Sequence, residues 1–292
     1  MISYAAAVAT ALANAASNVL NRKATRDEPA AFQFRLRLIA GLLRRPAWLA
    51  AVALMILSFG LGAAALGAGQ LASVEPIIAL ELPMTVIGGS RLLGGRLRRS
   101  GWAAIAVMTA GLIVLLMSLD PRRGPHAPVT PAAWITGSAV SGGAAAALFL
   151  AGWVSRSPAR RAALLGTGCG VAYGLASAYT KGMTQQFSAG GIAGAVTSWQ
   201  LYAAVAAGAA ATWLLQNAYH AGRLAAAQPG ITLADPVVAM AWGILAFGER
   251  IREGVFLIPA ALAVLAVAAA VVVLAHAPPV HRRFGRTRNG QP

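Results

Sequence analysis

The sequence predicts an all-α fold, a polytopic transmembrane bundle of nine helices with an inverted-topology repeat, and three observations lead there. Of the 292 residues 58% are apolar before the 32 glycines are added, well above soluble domains, where roughly 45–50% are apolar with glycine included. Lys and Arg (24) outnumber Asp and Glu (8), a net charge of +16. The cations stand in short clusters between long uncharged stretches, which is a multi-pass membrane pattern and not a nucleic-acid face. Third, the chain repeats itself over an odd number of membrane crossings.

An apolar helix needs about 20 residues to cross about 30 Å of hydrocarbon. Runs of that length, bounded by charge, Pro or Gly, occur at 2–20, 47–69, 72–94, 100–119, 132–154, 161–183, 192–222, 228–248 and 255–276. Residues 29–45 are shorter and hold Arg35 and Arg37 at mid-length, so they read as an amphipathic interfacial helix. If they cross, the bundle has ten helices and the amino terminus changes sides. The first run lacks the cationic start of a signal peptide and reads as an uncleaved helix. With nine spans and the amino terminus outside, 19 of the 24 cations fall on the cytoplasmic side, together with the carboxyl terminus. The expected location is therefore the cytoplasmic membrane.

An offset of 153 pairs residues 68–83 with 221–236, matching eight of sixteen positions without a gap, and the match runs on through Leu92/Leu245, Gly95/Gly248 and Arg99/Arg252. Five spans separate the paired elements, so each pair crosses in opposite directions, the arrangement that lets two halves alternate around a shared site. The chain then divides into a first half at 1–119, a linker with one extra span at 120–160, a second half at 161–276 and a basic cytoplasmic tail at 277–292.

The stretch ending GVAYGLASAYTK at Lys181, and residues 214–250 with Asp235-Pro236 and Gly248-Glu249-Arg250, resemble the drug/metabolite transporter superfamily, EamA-like members included, and the branch near NIPA-type magnesium transporters. The resemblance covers roughly 2–119 and 161–276. It implies a bundle of two inverted halves that moves small metabolites, drugs or ions. The first half departs from it, with GGRLRR where the second has GERIRE, and the span at 132–154 has no counterpart in the repeat. Cargo does not follow from the motifs.

Ionised groups at a helix centre cost roughly 2.5–3.5 kcal/mol even on lenient insertion scales, so the acids inside spans, Glu75, Glu81 and Asp235, are candidates for binding substrate or a coupling ion. Glu81 aligns with Ala234 and Leu82 with Asp235, so the two carboxylates approach the midplane from opposite sides. Each could instead pair with a polar neighbour for structural reasons. The repeated prolines Pro76, Pro83, Pro229 and Pro236 are expected to break their helices and free the carbonyls of Ala72, Ala79, Ala225 and Thr232; a static kink is the alternative. Lys181 closes span six and is a candidate ligand or a snorkelling side chain. Gln216 and Asn217, with Gln70 and His220, could line the pathway or pair with one another; Asn14 and Asn18 are weaker candidates.

Gly166, Gly170 and Gly174 form a packing stripe. Trp48, Trp102, Trp134 and Trp153 read as interface anchors. The lone Cys169 excludes an intrachain disulfide, and no HExxH, Walker or paired CxxC spacing occurs. The expectation is a secondary carrier, not an enzyme, with no cofactor, partnered by the lipid bilayer and a small-molecule or ion substrate, with no nucleic acid and with homodimerisation left open. A magnesium pathway and a non-transporting scaffold are the alternatives; a metal site is not assigned.

Overall fold

A computed structural model describes residues 2–25, 46–92, 99–122, 129–221 and 224–276. The interfacial stretch 29–45, the Arg96–Arg98 cluster and the tail 277–292 lie outside the described residues. The helices are α1 (Ile2–Thr25), α2 (Pro46–Ala68), α3 (Leu71–Ile78), α4 (Glu81–Leu92), α5 (Arg99–Leu119), α6 (Pro131–Val154), α7 (Pro158–Thr197), α8 (Trp199–Ala221), α9 (Leu224–Leu245) and α10 (Leu257–His276). Among these residues the sole β pairing is one antiparallel bridge between Arg122 and Arg250. The chain is a helical multi-pass membrane protein: Pro46–Ala68, Leu71–Leu92, Arg99–Leu119, Pro131–Val154 and Gly254–Leu274 are each long and apolar enough to cross a bilayer. The sequence expects nine such stretches. The other long helices, α1, α7, α8 and α9, carry interior polar and small residues that dilute their apolar character.

Two expected spans have different bounds. Span six continues well past residue 183, because α7 runs to Gly190 and Gly191, where Gly191 takes φ of 62° and the axis kinks. What was expected as one span over 192–222 is a short leg ending at Thr197, a break at Ser198, and α8. The span at 72–94 is divided by a turn at Ala79 and Leu80 into α3 and α4.

Neighbouring side chains fix the relative directions. Ser3 lies against Gly69, Thr10 against Gly62, and Ser17 donates to the Ala51 carbonyl at 2.7 Å, so α1 and α2 are antiparallel. The glycine stripe of α7 sets that helix parallel to α9: a Cβ at Gly166 would stand 2.4 Å from the Ala227 carbonyl, one at Gly170 2.7 Å from that of Ile231, and one at Gly174 2.7 Å from that of Asp235. Backbone approach of this kind is what small residues permit. Helix α6 returns along α7, with Ser138 at Tyr179 and Gly152 at Leu165. Helices α5 and α10 pack antiparallel through Met108, Leu112, Leu115, Ala263, Val267 and Val271.

The bounds of α2 and α8 differ by 153 at both ends, as do those of the α3–α4 stretch and α9. The prolines act differently in the two. Pro76 lies inside α3, the turn follows it, and Leu82 N donates to the Ala79 carbonyl at 3.3 Å, so that carbonyl is not freed. Pro229 and Pro236 do not break their helix as expected, since α9 runs through both. Trp134 is not an interface anchor either: it is buried among Tyr179, Trp199, Trp242 and Phe247, with ring centroids 5.2–5.8 Å away. Trp102 and Trp153 are exposed.

Candidate functional site

The three acids all lie inside the bundle. Glu75 sits on the buried α3, Glu81 opens α4 and Asp235 lies midway along α9. Each carboxylate is within electrostatic reach of the other two. Ser177 of α7 lies beside Glu75, and Asn14 of α1 lies beside Glu81. Asn14 in turn accepts from Ser58 of α2. Tyr173 and Cys169, also on α7, lie within electrostatic reach of Asp235. Among the described residues no Lys or Arg forms an ion pair with these acids, and Oδ1 of Asp235 is buried without a hydrogen-bond partner. A buried acceptor left so is costly by about 1–3 kcal/mol unless something donates to it, which is the condition of a group that binds a proton, a cation or a donor-bearing solute.

The second cluster was only half legible in the sequence. Lys181 does not snorkel: it is buried and forms an ion pair with Glu249, donates to the Gly69 carbonyl at 3.2 Å and lies 5.1 Å from the centre of the Phe247 ring. Glu249, also buried, accepts from the backbone N–H of Leu71 at 2.6 Å on Oε1 and of Ala72 at 2.9 Å on Oε2. Those are the first two amides of α3, which have no partner within their helix, and Gln70 at its N-cap gives no side-chain hydrogen bond to them. Glu249 therefore caps α3 from another part of the chain. Its place is set by the end of α9, where Glu249 N donates to the Gly243 carbonyl at 2.9 Å and Gly248 turns the backbone at φ of 64°. A Cβ at Gly243 would come within 2.4 Å of the carboxylate.

The strap that carries Glu249 is tied to α5 as well. Arg122 and Arg250 exchange backbone hydrogen bonds at 2.8 and 3.0 Å, and Arg252 N donates to the Leu119 carbonyl at 2.8 Å. Asp120 receives the Arg122 guanidinium at 2.6 Å and that of Arg252 at 3.0 Å. The Arg122 hydrogen bond, with Arg252 beside it, holds the Asp120 carboxyl below the usual carboxylate range.

Gln216 and Asn217 do not join either cluster. Gln216 is exposed, and Asn217 donates along its own helix to the Trp213 carbonyl at 2.8 Å. The side chain of His220 lies outside the described residues. Sequence reasoning placed Glu249 only within a family-like motif; the signal that could have found it is a glutamate after Gly248, facing the start of a helix that lacks a capping side chain.

Comparison with protein-family models and with solved structures gives no match. The chain is similar to an uncharacterized protein of Corynebacterium glutamicum, 29% identical over 252 residues that cover 84% of each sequence.

Proposed function

We propose that this chain is a secondary membrane transporter of the drug/metabolite type, moving a small solute by alternating access between two inverted halves and coupled to a proton or cation. The observation that carries this reading is that Glu75, Glu81 and Asp235, from both sides of the repeat, lie within electrostatic reach of one another, with a buried Asp235 oxygen that nothing among the described residues satisfies. Intramembrane carboxylates without a basic partner are costly and mark ion or substrate pathways. The shared offset of helix bounds supports two related halves.

The test is flux of a panel of labelled solutes in proteoliposomes, with and without a pH gradient. At least one solute should move, and the gradient should drive it. Glu81→Gln and Asp235→Asn are expected to lose gradient coupling while retaining helical content and a monodisperse elution profile. Absence of gradient-driven flux for every solute, with an obligatory protein partner copurifying, would favour a scaffold instead.

A further inference from the structure

We propose that Lys181, Glu249 and the first turn of α3 form a one-sided gate that closes one end of the bundle and sets the position of Glu75. The inference rests on the transporter reading, because a gate matters only where the two halves separate. Glu249 and Lys181 belong to the second half of the chain, and Gly69, Leu71 and Ala72 to the first, so the three backbone hydrogen bonds of the cluster cross between halves, while the ion pair and the Phe247 ring contact stay within the second. The helix they hold is short. After Ile78 a turn separates α3 from α4, so α3 is an eight-residue unit anchored at its start, with Glu75 one turn further in.

The chemistry gives this cluster two satisfied arrangements. Burying a carboxylate and an ammonium removes their hydration, and the loss is offset only where the remaining hydrogen-bonding capacity is met. Here it is met by two helix amides, a carbonyl and an aromatic face. If the end opens, water takes over each of these roles, and charged groups hydrate well. An apolar plug would resist wetting, whereas this contact is stable when dry and stable when wet, as a switching interface must be.

The sequence repeat does not reproduce the carboxylate of the gate. The repeat places Arg96 where Glu249 stands, and a guanidinium has no lone pair to offer the amides of a helix start. Position 96 therefore offers no acceptor of the kind Glu249 gives to α3.

The test needs no known cargo. In the full chain carrying Cys169→Ala and Ser73→Cys, reconstituted into liposomes, a membrane-impermeant maleimide reports water access to α3, where Ser73 is 1% exposed. Labelling should be slow with the gate intact and faster by about tenfold or more in Glu249→Ala, as expected for removing one partner of a buried pair. Glu249→Gln, which keeps an acceptor for the amides, should fall between. The charge reversal Lys181→Glu with Glu249→Lys should stay fast, because a lysine restores the ion pair but cannot cap the helix.

Native Cys169, kept as the only cysteine, must remain unlabelled in each variant; where it reacts, the fold is lost and Glu249→Gln decides. Unchanged labelling of Ser73→Cys in Glu249→Ala and Glu249→Gln, or full protection in the charge reversal, would overturn the proposal. Protection that depends on the gate, in a protein that moves no solute, would sink the transporter reading while leaving the contact intact. Gradient-driven flux with labelling indifferent to Glu249 would do the reverse.

Discussion

Glu249 shows how much one carboxylate can organise when its neighbours leave it room. Its two oxygens meet one lysine and two amides, and they fit only because Gly243 has no side chain. Gly243→Ala is therefore expected to displace the carboxylate and lower stability by about 1–3 kcal/mol, the range for leaving buried donors unmet; thermal unfolding in nanodiscs checks it, and an unchanged Tm would refute it. Asp120 gives a pH prediction. Its carboxyl titrates below the usual value near 3.9, so the contribution of its arginine contacts is present above that pH and is lost as pH falls through the lower, folded-state value. The Tm difference between wild type and Asp120→Asn should be small but present at pH 7 and should close below about pH 4; a difference independent of pH would count against the pairing. Glu75, Glu81 and Asp235 were legible because a charge inside an apolar run stands out. Glu249 was not, because an acid just beyond a span looks like any loop acid until the fold brings a helix start to it.

At the level of helices, spacing told more about packing than about boundaries. The stripe Gly166, Gly170, Gly174 announced close approach, and the structure supplies the partner, the backbone of α9 from Ala227 to Asp235. Gly170→Val should force that pair apart, lowering stability by about 1–3 kcal/mol or more as overpacking does, and should also move Asp235; Tm and coupled flux are expected to fall together. Helix ends were harder to read. The kink at Gly190 and Gly191 lies within a mixed polar and small-residue stretch where hydropathy has little contrast, and the prolines carry the same local signal in both halves although only the α3–α4 stretch contains a turn. Proline removes one hydrogen bond, but the neighbours decide whether a helix opens there.

Across the whole molecule, the ends of the helices sort into two layers. Gly69, Leu119, Trp134, Lys181 and Glu249 share one layer through direct contacts, and Ala51, Gly152 and Leu165 belong to the other. By sequence order, the segments that join the helices on the side of the second layer carry 19 of the 24 cations, which predicts that this layer faces the cytoplasm. Alkaline phosphatase fused after Arg122 should be active and after Arg156 inactive; the opposite pattern would invert the orientation. The internal sequence match stands out because its prolines and small residues align without a gap, whereas α6, which packs along α7, has no counterpart in that match.

The turn at Ala79 and Leu80 has a corollary for motion. Its repeat partners are Thr232 and Leu233, which lie within an unbroken α9. Were the halves to trade shapes, the bend would migrate: α3 and α4 would fuse into one rod while α9 would crease at Thr232, carrying Asp235 along with it. A spin-label pair spanning Thr232 should then shorten as a pair spanning Ala79 lengthens, so the crease serves as a marker of which way the protein faces.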